Sequence, residues 1–420
     1  MRLIIIAVGS IGDVFPLLGI AREMRSREHT VQVIANPFYA KHVEQVGAEL
    51  LPIGTAEEHQ QMMSHPDITH PRKGWALWLK LGSLNYLKQT YQLIEQHAVR
   101  GETVLAGSWG AQAALVASEK LEIPAATFHL EPDKFRTAYD SAAMPRRSLV
   151  FQSNPPWLKR MQYRLLDKLL IDPAFAPVND FRRELSLPPI QHFWNEGIHA
   201  PNLTVGLFPD WWGPMQPDWP AQTKLIGFPL WDQNPEQQFP EEVSEFLDAG
   251  DPPVVFSPGG FGTIPEKLFK IVVPVCEDLG RRAILLTSDR SLLPKQLPDS
   301  IRHFQFIPFT PLLNRAAAVV HHAGIGTTAL CLAAGTPQIA IPPMHINRDT
   351  ALRLEKLGVG RMISPFALRE ESLKQTLRVL LGADTINRNC HEIASRLKNS
   401  NTLPAVTGLL ESLVTNNEAC

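Results

Sequence analysis

The chain has 420 residues, too many for one ordinary hydrophobic core, so two domains are expected. Hydrophobic residues make up 44% and charged residues 20%, with a net charge of −2; this is a globular composition and argues against a nucleic-acid partner. Four cysteines show no metal-like spacing, and the opening run MRLIIIAVG is too short for a signal-peptide core or a membrane span, so a cytoplasmic protein without a metal site is expected.

The first half alternates apolar runs with helical patterns. Strands are predicted at Leu3–Val8, Val31–Ala35, Leu50–Ile53, Val104–Ala106 and Ala125–His129. Between them, 15–28, 38–47 and 110–120 read as helices, and 74–97 places Trp75, Trp78, Leu79, Tyr86 and Leu87 at roughly helical spacing. Such alternation predicts a parallel sheet covered on both faces. Residues 140–200 lose that regularity and are rich in proline, aromatic and basic residues. After Leu203–Leu207, the stretch 227–252, beginning GFPLWDQNPEQQFP, reads as a linker.

The second half restarts the same grammar. Val254–Ser257 is a strand that opens into PGGFGT (258–263), followed by a helix at Pro265–Leu279 and a strand at Ala283–Thr287. Ala317–Val320 is a further apolar strand, and Gln338–Ile341, a helix at 349–357 and a helical stretch at 384–415 complete the chain. Both halves therefore begin strand, glycine loop, helix, which predicts two facing Rossmann-like domains with ligands in the cleft between them.

The segment HHAGIGTTALCLAAGTPQIAIP (321–342) is the most informative. A strand ends in two histidines, Gly324 and Gly326 form a loop, and an Ala/Leu-rich helix follows with Thr327 as its expected cap. A helix N-terminus fed by a glycine loop offers free N–H groups and a positive dipole end, which suits a phosphate, and an imidazole adds one donor.

This segment resembles the donor-binding motif of family 1 glycosyltransferases, which have the GT-B fold. GSIGDVFPLLGIA (9–21) is similar to the bacterial branch, and LFPDWWGPMQPDWP (207–220) with GFPLWD (227–232) looks like the corresponding region of rhamnolipid-type rhamnosyltransferases. The resemblance implies an inverting, metal-independent enzyme that moves a sugar from a UDP- or dTDP-sugar to a hydroxyl of an apolar small molecule or lipid. It needs no cofactor beyond that donor. It implies an N-terminal acceptor domain over 1–226, the linker at 227–252, a donor domain over 253–383, and a tail, 384–420, that packs back on the first domain. Peripheral membrane contact and a monomer or homodimer fit the same picture.

By the same resemblance His322 donates to the donor diphosphate and contributes to catalysis, while His321 reads as a structural strand-end histidine. Gly324, Gly326, Thr327, Thr328, Ser257, Gly260 and Gly12 line the phosphate side, with Pro308 and Phe309 of FIPFTPLLNRA (306–316) on the nucleotide base. Asp13, three residues before Pro16, takes the place of the general base that removes the acceptor proton. An alternative role for Asp13 is helix capping, and a helix N-terminus favours its carboxylate form. Phe15, Trp75, Trp78 and His129 are candidates for the acceptor side. The Asp-Gln pair that commonly binds sugar hydroxyls is replaced by Ile346-Asn347, which leaves Asn347, His345 or Asp349 to take part of that role. A nonhydrolysing sugar-nucleotide epimerase, or a nucleotide-sugar- or lipid-binding protein without catalysis, would use the same architecture.

Overall fold

A computed structural model describes residues 1–68, 70, 73–141, 153–231, 238–259 and 264–415. The chain divides into two compact units, Met1–Trp231 with Asn401–Cys420, and Asp232–Ser400.

The first unit is built on seven parallel strands: β1 (Arg2–Ala7), β2 (Thr30–Ala35), β3 (Glu49–Pro52), β4 (Thr103–Ser108), β5 (Ala125–His129), β6 (Leu203–Gly206) and β7 (Thr223–Leu225). Their order is β3-β2-β1-β4-β5-β6-β7. The unbroken apolar run of β1 follows from burial on both faces. Leu3, Ile5 and Ala7 enter one core, and Ile4 and Ile6 enter the other, because successive side chains alternate across the sheet. The helix Ile11–Ser26 covers the first core together with Val406 and Leu410 of the helix Thr402–Thr415. Each fully buried Leu or Ile contributes roughly 1.5–3 kcal/mol relative to exposure.

The second unit repeats the plan with six parallel strands: β8 (Val254–Ser257), β9 (Ala283–Leu286), β10 (Ile301–Phe304), β11 (Ala318–His321), β12 (Gln338–Ala340) and β13 (Gly360–Met362). The order is β10-β9-β8-β11-β12-β13. In both sheets the order reverses beside the first strand of the unit, between β1 and β4 and between β8 and β11. Those reversals open the crevice where parallel α/β sheets bind ligands.

The structure corrects several expectations. The first helix begins at Ile11, not 15, and the helix expected at 349–357 begins at His345. The irregular region contains helices at Pro156–Leu166 and Ala176–Glu184. Part of the expected linker is the helix Glu241–Asp248, whose Val243, Phe246 and Leu247 are buried in the second unit's core. The expected tail divides as well: Asp384–Lys398 packs within the second unit, and only the helix Thr402–Thr415 joins the first.

Candidate active site

In the first unit, β1 ends at Ala7 and the chain turns into the helix that carries Asp13 in its first turn. Asp13 accepts hydrogen bonds from the Ser10 backbone N–H (2.8 Å) and the Ser10 hydroxyl (2.7 Å) on the same oxygen, Oδ2. Gly9 makes that approach possible. It sits at φ +133°, and a Cβ there would lie 2.6 Å from Asp13 Oδ2. The Tyr39 hydroxyl donates to the Gly9 carbonyl (2.9 Å), which fixes the turn from the next strand over.

These contacts settle a contest between two electrostatic effects. The helix N-terminus and the Ser10 hydrogen bonds stabilise the carboxylate. Burial opposes them and wins, so the Asp13 pKa is raised; Ser10 and the charge of Lys134 reduce the rise. Lys134 is itself buried and paired with Asp133 at 2.6 Å. Burial alone would lower its pKa, but the carboxylates of Asp133, Glu131 and Asp13 outweigh that and leave it raised. A carboxylate held in this way can accept a proton more readily than a free aspartate.

The acceptor-side candidates separate. Phe15, two residues after Asp13 on the same helix, lies against His42 (ring centroids 5.1 Å apart) and Trp231 (5.8 Å). Trp78 stacks on Trp109 at 4.8 Å, and Trp109 follows β4 at the same switch point as Asp13. Trp75 and Trp109 both pack, partly buried, against the core on one face of the sheet. His129 is a correction: it is only 1% exposed, its Nε2 is 2.9 Å from His199 Nδ1, and Phe135 covers its ring, so it is a core residue.

In the second unit, Ser257 ends β8 and pairs in register with His321 at the end of β11. His321 is fully buried and neutral in character. Its Nδ1 accepts the Ala323 N–H (3.1 Å), Nε2 faces Gln338 Oε1 (3.0 Å), and burial depresses its pKa to about 3. It is structural, as expected, although its partners are Gln338 and the Ala323 amide.

His322 points between two glycines. A Cβ on Gly259 would come within 2.9 Å of Nδ1, and one on Gly324 within 2.5 Å of Nε2. The ring can occupy this slot only because both neighbours lack side chains. Burial lowers its pKa, with the Ser257 backbone opposing, so the ring is neutral near pH 7. The helix Ile325–Ala334 then starts immediately, with Gly324 as its N-cap. Thr327 is therefore the third helical residue and not the cap. Thr328 is fully buried and its N–H already bonds to the Gly324 carbonyl (2.9 Å), while its hydroxyl has no partner among the described residues. The N–H groups of Ile325, Gly326 and Thr327 precede the first intrahelical acceptors and remain available to an anion.

Sequence reading missed how this loop is held. Ala323 has φ +61°, a left-handed conformation that costs a non-glycine residue of order 1 kcal/mol. Both of its backbone groups are pinned: the N–H by His321, and the carbonyl by Asn347 Nδ2 at 3.2 Å. Asn347, expected to touch the donor, is buried; its Nδ2 braces the loop, while its Oδ1 has no partner among the described residues. Asp349 beside it is engaged by Arg353 at 2.7 Å. Pro308 is buried and Phe309 is half-buried against the core; Phe306, at 61%, is the most exposed aromatic of that segment. Gly12 is exposed at the helix start, and Gly260 lies outside the described residues.

Comparison with known proteins points to the same two-domain fold. A model of the glycosyltransferase family 28 N-terminal domain matches residues 3–139, and one of the erythromycin biosynthesis protein CIII-like C-terminal domain matches residues 281–413. An O-mycaminosyltylonolide 6-deoxyallosyltransferase of Streptomyces fradiae is 26% identical over 90% of this chain and 89% of its own length. A sterol 3-beta-glucosyltransferase of Arabidopsis thaliana is 25% identical over 96% of this chain and 67% of its own. Among solved structures, the kitacinnamycin glycosyltransferase superposes with a TM-score of 0.76 at 19% identity, covering 98% of this chain and 99% of its own. The glycosyltransferase VinC, solved in complex with dTDP, gives 0.70 at 16% identity, covering 99% and 100%. The protein is a glycosyltransferase of the GT-B fold. Residues 3–139 are similar to the family 28 N-terminal domain and residues 281–413 to the erythromycin CIII-like C-terminal domain; the rhamnolipid-type branch is not distinguished from others by these matches.

Proposed function

We propose that the protein transfers a sugar from a dTDP- or UDP-sugar to a hydroxyl group of an apolar small molecule or lipid, with inversion at the anomeric carbon and without a metal. The observation that carries this reading is the slot that holds His322 between Gly259 and Gly324, directly before a helix with three unengaged N–H groups. In this reading His322 and those N–H groups bind the diphosphate and stabilise the charge that develops on it as the glycosidic bond breaks. Asp13 removes the proton of the attacking hydroxyl, and its burial raises its basicity for that step. Phe15, Trp78 and Trp109 supply apolar surface on the acceptor side, and Asn347 braces the phosphate loop through Ala323. The dTDP complex of VinC supports the nucleotide class, and the sterol glucosyltransferase relative supports a bulky apolar acceptor.

The test is turnover with a panel of dTDP- and UDP-sugars and apolar alcohols. Nucleoside diphosphate should be released in step with acceptor consumption, and nuclear magnetic resonance of the product should show the anomer opposite to that of the donor. EDTA should leave the rate unchanged. Release independent of acceptor, retention of configuration, or a rate restored only by Mg²⁺ would each contradict one part of the reading.

A further inference from the structure

The described residues contain one helix whose solvent face is inverted in character. Along Pro156–Leu166 and the continuous helical turns to Ile171, Trp157, Met161, Leu165 and Leu169 recur every fourth residue, and all are 48–65% exposed, as is Leu170. Residues four apart share one helix face, so these side chains form a single apolar ridge in water. Arg160, Arg164 and Lys168 are exposed at the same spacing and flank the ridge on one side. The helical run continues into Asp172–Ala174 and has two acids: Asp167, buried and ion-paired with Arg136 at 2.5 Å, and Asp172, half-buried and accepting the Phe193 N–H at 2.9 Å. The fully exposed charged side chains of this helix, Arg160, Arg164 and Lys168, are therefore all positive, within a chain of net charge −2. Tyr139 stands at its start, half exposed, with its hydroxyl accepting from Arg160 Nη2 at 3.0 Å.

We propose that this ridge is a membrane-docking surface that lies in the interface of an anionic lipid bilayer. Its helix would rest parallel to the membrane, with Trp157 and Tyr139 at headgroup level, the Met and Leu side chains among the upper acyl carbons, and the three basic groups on lipid phosphates. No described helix is long and apolar enough to cross a membrane, so contact of this kind is peripheral. The one-sided positive charge selects an anionic lipid surface over an acidic-poor protein face, and interfacial tryptophan and tyrosine suit the same boundary. The inference extends the lipid-acceptor reading above by giving such an acceptor a route from the bilayer, and its test does not use sugar transfer.

The experiment is sedimentation of the full chain with phosphatidylcholine vesicles, with and without phosphatidylglycerol, at low and high salt. Wild-type protein should bind the anionic vesicles and be released from them by salt. Met161→Gln with Leu165→Gln and Leu169→Gln should reduce partitioning roughly tenfold or more. Arg164→Glu with Lys168→Glu should reduce it on anionic vesicles while turnover on a water-soluble acceptor stays at the wild-type level. Because all five side chains are exposed, each variant should retain the wild-type melting temperature. Absence of vesicle binding by wild-type protein, equal binding by the variants, or a wild-type dimer that the Gln variant converts to monomer would overturn the proposal; the last would assign the ridge to a second copy of the chain.

Discussion

At the scale of single residues, Asp13 carries opposite expectations for activity and for stability. Asparagine keeps its size and can still accept from Ser10, but it cannot take a proton. Asp13→Asn should lower turnover by roughly 10²–10⁴-fold on an aliphatic alcohol, the usual contribution of a general base. Its effect on folding should run the other way. A carboxyl whose folded pKa is raised above 3.8 weakens the fold once the pH exceeds that value, because the charged form is the one burial disfavours. The melting temperature of Asp13→Asn at neutral pH should therefore equal or exceed that of wild type. An inactive variant that also melts lower would show that Asp13 is needed for folding, not chemistry. Ser10→Ala offers an independent check, since it removes a hydrogen bond that favours the carboxylate; the acidic limb of kcat/KM should move to higher pH.

At the scale of elements, the phosphate loop shows what sequence conveys and what it leaves out. The pattern from His321 to Thr328 located the strand end, the loop and the helix, because histidine, glycine and an Ala/Leu-rich run each have a strong local preference. It misplaced the helix start by about one turn. A glycine can cap a helix as well as a threonine when the free N–H groups face outward, and the string of letters does not separate the two. The bracing by Asn347 was illegible for a different reason: its partner, Ala323, is 24 positions away and owes its left-handed conformation to contacts from two other elements. His129 likewise ends a strand as a ligand-facing residue might, and only the packing of His199 and Phe135 reveals a core position. The braced loop gives a prediction. Asn347→Ala should weaken nucleoside diphosphate binding although Asn347 lies behind the loop, and the paired change with Ala323→Gly, which relieves the left-handed strain, should recover part of the loss. Unchanged affinity in Asn347→Ala would show that the loop holds its shape without the brace.

At the scale of the whole molecule, the sequence revealed the interiors of both sheets better than their margins. β7, β10 and β13 went unpredicted, and all three are edge strands. An edge strand has a neighbour on only one side, so it can be short and carry polar residues such as Arg302 and His303, which erases the apolar run. Buried histidines give the molecule a common acid sensitivity. His129, His199, His321 and His322 are all held below the ordinary value of 6.5 by burial, His199 at about 4 and His321 at about 3. Unfolding lets each take up a proton, so the unfolded state binds more protons and stability falls as the pH drops below about 6.5, continuing toward 4 and 3. Asp13 acts in the opposite sense, since its protonation removes a burial penalty, but it is one group against four. The melting temperature should decline steadily over this range; a flat profile would mean that the histidines titrate normally.

The account rests most heavily on a division of labour between His322 and Asp13. Calorimetric titration of dTDP and UDP into wild type, His322→Ala and Asp13→Asn tests it directly. Loss of one charge-assisted hydrogen bond, about 1.5–3 kcal/mol, should weaken binding to His322→Ala by roughly ten- to a hundredfold. Asp13→Asn should bind like wild type. Near-native affinity in a folded His322→Ala variant, or an equal loss in both, would contradict the assignment of the diphosphate to the His322 loop.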